Sequence, residues 1–390
     1  MSTYRLKDFV DPIAITVQDP ANSGFERFVG LEHYDSNELV IKRFSGVELL
    51  TTNAKAFQKN DLLIARRNVY LRRAGVVYFD GITSGDSIVL RVKEDCEKQT
   101  GISRELAQRV LPLVLNTDRF WIYANKHADG MNSKRISKDT LLDYEFNLPS
   151  IEEQKVLAEK LWAAYKVKES YRQLLSTTDE MLKAKFQEMF GDGRTNPNNW
   201  EETKISKCFP YIKNGVNIKQ IEGASGIPIT RIETLAGGVF NRDRLGYANV
   251  HSIDGYEKYV LTTGDLLMSH INSKAYIGRT VEYVKKGEEV IIHGMNLLCL
   301  KADEKKVLPS YYVHYTHSRT FLEDIAKIRK DAINQSSINT TDFGNIPIIL
   351  PPLFLQQQFA EIATQAEATK ASLRASIEAI DRVIRSLINQ

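Results

Sequence analysis

Leu148-Pro149-Ser150-Ile151-Glu152-Glu153-Gln154 returns as Leu350-Pro351-Pro352-Leu353-Phe354-Leu355-Gln356, an offset of 202 in a chain of 390 residues. Leu157-Ala158-Glu159 follows the first copy in the register that Phe359-Ala360-Glu361 keeps after the second. Earlier in each half, Asp61-Leu62-Leu63 matches Asp265-Leu266-Leu267 at an offset of 204. Gly30-Leu31-Glu32-His33 lies where Arg231-Ile232-Glu233-Thr234 lies, at an offset of 201. Anchors in one order at a nearly constant spacing mark a tandem duplication whose halves have diverged between them.

Each Leu-Pro segment opens a long helix, proline being tolerated in the first helical turn. Residues 151–190 contain no Gly or Pro, and Gly191 follows as a stop. Apolar residues recur at a 3–4 spacing, with Leu157, Leu161, Leu175 and Leu182 in the first helix. In the second they are Phe359, Ile362, Leu373, Ile380 and Ile384. Such a pattern sustained over about five heptads predicts a coiled-coil seam. Each helix spans roughly 55–60 Å, too long for one globule, so the two are expected to pair antiparallel rather than fold back singly. Lys166, Lys168, Arg172, Lys183 and Lys185, interleaved with acids, read as a solvated exterior.

The segments before the helices carry short β-branched runs bounded by Gly, Asn and Asp: DLLIARRN, AGVVYFD and SIVLRV, then EEVIIHG and LLCLKA. Helical stretches interrupt them (ISRELAQRVLPLVLN, PSYYVHYTHSRTFLEDIAKI). The expected class is α+β. Two similar mixed α/β globules, residues 1–147 and 193–349, are separated by two long antiparallel coiled-coil helices, 148–192 and 350–390, with pseudo-two-fold symmetry.

Composition is that of an ordinary globular chain, 43% hydrophobic and 26% charged. A net charge of +3 means that any nucleic-acid surface must come from local clustering. Cys96, Cys208 and Cys299 share no CxxC spacing and read as reduced thiols without a zinc site. The start, MSTYRLKDFVDPIAI, has no basic-then-apolar signal pattern, and no run approaches the roughly 18 apolar residues of a membrane span. A cytoplasmic location is expected.

The order of variable globule, Leu-Pro-x-hydrophobic-x-x-Gln helix, variable globule and second such helix resembles the specificity (S) subunits of Type I restriction–modification systems, over essentially the whole chain. Gly30–His33, Thr263–Leu267, and Asn334-Gln335-Ser336-Ser337-Ile338 before Ile346-Pro347-Ile348-Ile349-Leu350-Pro351-Pro352 are family-like phrases. Asn132-Ser133-Lys134-Arg135-Ile136 is the first-half counterpart of the polar stretch. Ser150 replaces the second Pro, and Asn60 stands where Gly precedes Asp. The resemblance implies target recognition domains that each read half of a split double-stranded DNA sequence. It implies spacer helices that dock two modification (methyltransferase) subunits and, through them, restriction subunits. S-adenosylmethionine and ATP/Mg then belong to the partners, with no cofactor, metal or catalysis in this chain. Two alternatives stay open: a specificity subunit of a related non-Type I methyltransferase–nuclease system, and a coiled-coil adaptor that ignores DNA.

Reading heads need Arg and Lys for phosphates and Arg, Asn or Gln for base edges. The densest basic cluster is Arg66-Arg67-Asn68 with Arg72 and Arg73, where strand alternation would put Arg66 and Asn68 on one face. Its second-half counterpart holds His270, Asn272 and Lys274. A second pair of strips runs from Lys126-His127 to Lys134-Arg135 and from Arg329-Lys330 to Gln335-Ser336. A third is Lys213-Asn214 to Asn217 and Lys219, where Gly215 is expected to permit a turn. The 17 tyrosines read mostly as core or rim.

Enzyme motifs are missing: no Walker A, no GxGxxG, no Asn/Asp-Pro-Pro-Tyr/Phe. Glu153-Gln154-Lys155 mimics a nuclease element but falls in a helix start, and His314 and His317 read as a helical surface pair.

Overall fold

The computed structural model describes residues 2–48, 50–131, 133–332 and 335–389, so Asn132 and Asn334 of the family-like phrases lie outside the described residues. The chain divides into two compact units, Met1–Arg172 with Arg374–Gln390, and Gln173–Leu373.

In the first unit β1 (Ser2–Arg5) leads to β2 (Val10–Ile13), β3 (Leu62–Ala65), β4 (Ala74–Val76) and β5 (Ser87–Val92). Strands β2, β5, β3 and β4 lie side by side in that order, antiparallel throughout. Helices α1 (Arg104–Val114) and α2 (Asp118–Lys126) follow, then β6 (Glu145–Leu148), which returns to pair antiparallel with β1. Helix α3 (Ile151–Phe190) starts two residues past β6.

The second unit repeats this order. Strand β7 (Glu201–Lys204) precedes β8 (Tyr211–Asn214), β9 (Leu266–Ser269), β10 (Ile271–Asn272), β11 (Thr280–Glu282) and β12 (Leu297–Lys301). The sheet runs β8, β12, β9, β11, the same topology as in the first unit. After α4 (Pro309–Tyr315) and α5 (Arg319–Ile328) come β13 (Lys330–Asp331), β14 (Ser336–Ser337) and β15 (Pro347–Leu350). Strand β15 pairs antiparallel with β7, and α6 (Leu353–Ile388) starts two residues later. The expected α+β class holds, and the two long helices run from Ile151 to Phe190 and from Leu353 to Ile388. EEVIIHG, read as a strand, holds only isolated bridges at Ile292 and Gly294. Its apolar residues are buried between loop partners instead of along a ladder.

The anchors of the duplication are structural. Asp61 and Asp265 are buried, each bonded to a cation on the neighbouring strand: Arg91 at 2.7 Å, Lys301 at 2.9 Å. Each also accepts from a turn amide, that of Gln58 or Thr262, both at 2.8 Å. The residue before each Asp has positive φ, 72° at Asn60 and 90° at Gly264, which explains why Asn can stand for Gly there. Leu62 and Ile64 face one core while Leu63 and Ala65 face another, so the strand is apolar throughout. At the third anchor the Gly30 amide donates to His33 Nδ1 (2.9 Å), and the Arg231 amide to Thr234 Oγ1 (3.0 Å).

The glutamine that ends each Leu-Pro motif is buried. Gln154 Nε2 donates to the Pro149 carbonyl at 2.9 Å. Gln356 Nε2 donates to the Pro351 carbonyl (2.8 Å) and the Lys306 carbonyl (3.0 Å), and its Oε1 accepts from the Leu308 amide (2.9 Å). Ser150 and Glu153 form a reciprocal capping box, with the Ser150 amide donating to Glu153 at 2.9 Å. That occupies the carboxylate of the nuclease-like triplet in helix initiation. Gly191, at φ 74°, ends α3 as expected.

Inside each unit the two long helices run antiparallel. In the first, Leu157, Leu161, Tyr165, Ile380 and Ile384 share one core. In the second, Leu182, Phe186 and Phe190 pack on Phe359, Ile362, Ala363 and Ala366. Leu161, Leu182, Phe359 and Ile384 are buried, while Leu157, Leu175, Ile362, Leu373 and Ile380 are half-buried. The solvated-exterior reading fails at Lys168, whose side chain is 4% exposed and pairs with Glu38 (2.7 Å) and Asp381 (2.6 Å). Arg172 joins it, 2.6 Å from Glu38. Burial alone would raise the Glu38 carboxyl, but the bonds from Arg172 and Lys168 outweigh it and hold it below its usual range. In the second unit Lys370 is buried against Asp179 at 2.6 Å.

Gln356→Ala strips three backbone groups, one of them in a buried bond, of their partner and should cost about 2–3 kcal/mol, against about 1 for Gln154→Ala. Urea unfolding checks this, and equal losses would show that the extra bonds of Gln356 contribute nothing. Lys168→Met leaves Asp381 without its cation and Glu38 with Arg172 alone, an expected loss of about 3 kcal/mol in the same measurement.

Candidate nucleic-acid interface

The strips singled out in the sequence are brought together pairwise, in the same way in each unit. In the first, an antiparallel bridge joins two arms through the reciprocal amide–carbonyl pair of Asp129 and Arg135. The second arm bonds to the segment after β3: the Asn68 amide donates to the Lys134 carbonyl (2.8 Å) and the Ile136 amide to the Arg66 carbonyl (3.0 Å). Arg67 Nε donates to Ser133 Oγ at 2.7 Å. In the second unit β10 pairs with β14, Asn272 opposite Ser336, and β14 pairs with β13. The Ile338 amide donates to the His270 carbonyl at 3.0 Å, the counterpart of the bond from Ile136 to Arg66. One backbone frame therefore carries two different sets of exposed side chains.

Within the first frame, Arg67, Lys134 and Arg135 are exposed and Arg66 is half-buried. Asp86 takes up part of the charge, 3.2 Å from Arg135 and 3.8 Å from Arg67. The expected alternation of Arg66 and Asn68 fails because Asn68 adopts φ 54° and turns the chain out of the strand. Two arginines of the cluster are committed elsewhere. Arg72 pairs with Asp118 at 2.5 Å, and Arg73 donates to the Leu31 and Arg67 carbonyls, each at 3.0 Å. Lys126 and His127 are exposed at the end of α2, where the His127 ring lies 4.3 Å from that of Tyr123.

Within the second frame, Asp331 plays the part of Asp86. It accepts from Arg329 Nε and Ser336 Oγ, both at 2.6 Å, and lies 3.8 Å from Lys274. The bond from Arg329, then that from Ser336, holds its carboxyl down to about 2. Lys330 and Gln335 remain exposed. Asn272 donates to Ser269 Oγ at 3.1 Å. His270 is buried, and the Asn214 amide nitrogen lies 3.1 Å from its Nε2, which brings the third strip into the frame. Lys213, Asn217 and Lys219 are exposed along that strip, Lys213 over the Tyr211 ring at 5.6 Å. The expected turn at Gly215 is not there. The chain stays extended, and glycine is required because a Cβ would collide with the His293 carbonyl.

The neutralising carboxylates were not found as site residues from sequence. Asp86 carries no local signal, since it meets Arg67 and Arg135 only after folding. Tyr70 and Tyr276 were likewise missed among the tyrosines, yet they are 62% and 44% exposed, and Arg279 lies over the Tyr276 ring at 4.5 Å. Among the described residues no cluster of His, Cys, Asp and Glu could hold a metal, and no helix is long and apolar enough to cross a membrane. His314 is not the surface half of a helical pair. It is half-buried with its ring 4.9 Å from that of Phe359, and His317 lies past the end of α4.

Burial drives His270, His293 and His314 down to about 4 from an ordinary 6.5. Between those values the unfolded chain binds protons that the folded second unit refuses, so stability present above pH 6.5 is lost as pH falls toward 4. Urea midpoints should drop over that window, and His293→Gln should shallow the slope. A flat profile would contradict the burial of these rings.

Residues 197–382 match the family model described as the Type I restriction modification DNA specificity domain. The chain is similar to the type I restriction enzyme MjaX specificity subunit of Methanocaldococcus jannaschii, 36% identical over 195 residues, covering 50% of this chain and 45% of that protein. It is also similar to the EcoKI specificity subunit of Escherichia coli, 22% identical over 263 residues, covering 63% and 55%. The chain thus spans about half the length of the curated relatives it matches. Two solved structures share its fold. A chain from a type I R-M system has a TM-score of 0.53 at 18% identity, covering 99% of this chain and 96% of that one. The S subunit of the M. genitalium Type-I restriction-modification system has a TM-score of 0.54 at 11% identity, covering 99% and 94%.

Proposed function

Because residues 197–382 match the Type I restriction modification DNA specificity domain and the chain is similar to Type I specificity subunits, we propose that it is such a subunit, reading a bipartite duplex DNA target and doing no chemistry itself. Residues 1–147 and 193–349 are the two target recognition domains in this reading. Residues 148–192 and 350–390 are spacer helices that set the unread gap and dock two modification (methyltransferase) subunits, which recruit restriction subunits. S-adenosylmethionine and ATP/Mg act on those partners, in the cytoplasm.

The observation that carries the reading is the repeated frame with unlike side chains. Exposed Arg67, Lys134 and Arg135 stand with half-buried Arg66 and Asn68 in one unit, and exposed Lys274 and Gln335 with half-buried Asn272 in the other, where His270 and Ser336 are buried. A single scaffold with two variable surfaces suits two half-sites of different sequence. Half-sites on one face of a duplex follow its helical repeat of about 34 Å, so a spacer of constant length gives a constant gap. Exposed lysines and arginines would supply the phosphate contacts that make such binding fall steeply with salt. Asp86 and Asp331 hold the arginine side chains in place before DNA arrives, which limits the side-chain entropy lost on binding.

The test is to map methylated bases in host DNA with and without this gene. A split motif with two specified halves around a fixed gap should vanish on deletion, and exchanging residues 1–147 should change only one half. Unchanged methylation, together with a purified complex that ignores duplex DNA at low salt, would leave a coiled-coil adaptor as the function.

A further inference from the structure

Asn214 ends β8 with an exposed side-chain amide whose two ends are not equally free. Its Nδ2 donates to the Met295 carbonyl at 3.2 Å. A carbonyl oxygen only accepts, so this bond decides which way the amide points. The other N–H of Nδ2 falls on His270 Nε2 at 3.1 Å. That nitrogen must therefore carry its lone pair, and the ring proton sits on Nδ1. The ring is 4% exposed, and its Nδ1 is buried without a hydrogen-bond partner among the described residues. Both hydrogens of the Asn214 amide are thus used inside the protein, and Oδ1 is the end left without an internal partner among the described residues.

An unconstrained asparagine reads adenine through both ends, accepting from N6 and donating to N7. With its donors tied up, it can only accept. We propose that Asn214 is an acceptor-only reader that selects, at one position of its half-site, a base presenting an exocyclic amine in the major groove, adenine or cytosine. His270 is the positioning residue that keeps the amide in this orientation. Guanine and thymine present acceptors at the corresponding edge and are disfavoured by lone-pair repulsion. The inference rests on the DNA-reading function above and adds a chemical preference to one globule. The sheet register places Ala14 where Asn214 stands, and the anchor offset places Arg66 at His270, so the first unit has no such device.

The experiment is selection of bound sequences from a randomised duplex DNA pool by the full chain purified with its modification subunit. Wild type is compared with Asn214→Leu, His270→Leu and His270→Gln. The wild-type motif should contain one position, in one half only, restricted to adenine or cytosine. Asn214→Leu should relax that position on the order of tenfold and leave the other half untouched. His270→Leu should relax the same position because the amide is no longer held, while His270→Gln, whose Oε1 accepts the same hydrogen, should retain the preference. A motif unchanged by Asn214→Leu overturns the proposal. So does an equal loss of affinity for all sequences in both His270 variants with a lowered melting temperature, which is the mark of a merely structural ring. A wild-type complex that enriches no sequence at all overturns the DNA-reading function itself, a result separable from both.

Discussion

Gln154 and Gln356 sit where a closing strand gives way to a long helix, and the rest of each unit depends on that junction. The last strand of each globule must find the first across more than 140 residues, β6 on β1 and β15 on β7. Two residues later the chain is already helical. A junction this short leaves the preceding Pro149 and Pro351 carbonyls without a ladder or helix partner. The buried glutamine amide returns one turn to satisfy them, and Gln356 also ties in the loop before α4. At position 356 an aliphatic residue would leave the Pro351 and Lys306 carbonyls without these bonds, the costlier outcome. Closure of the globule and direction of the helix are thereby one event.

The helix seams add a second constraint. Their apolar residues are spaced as a coiled coil requires, yet each unit places a buried lysine among them. Lys168 meets Glu38 and Asp381, and Lys370 meets Asp179. Desolvating these charges costs about as much as their attraction returns, so they add little net stability. They do penalise any slip of one helix along the other, since a displaced lysine would be buried without its carboxylates. A polar contact at a defined level of an apolar seam is a known means of setting register.

The helices, the repeat and the positions of the basic strips were all legible in the amino-acid sequence. These features are periodic or local: a 40-residue run without Gly or Pro, a duplicated heptapeptide, arginines next to one another. What was misread was misread for nonlocal reasons. Lys168 has the sequence context of a solvated lysine, and only Glu38, 130 residues away, and the still more distant Asp381 make it internal. EEVIIHG has strand composition but meets its neighbours only through isolated bridges. Gly215 was expected to turn the chain when its role is to admit the His293 carbonyl.

The sequence by itself determined that there are two related units, that each contributes to a long helical seam, and which stretches concentrate Arg, Asn and Gln. Tertiary structure alone decided which of those side chains stay free. Arg72 is spent on Asp118 and Arg73 on two carbonyls, whereas Arg67 and Arg135 share Asp86 and remain exposed. Asn214 keeps one end and loses the other to Met295 and His270. The reason is that a polar side chain's availability depends on the partners folding brings within about 3 Å, and in these cases, the Arg67 carbonyl aside, those partners lie far from it along the chain.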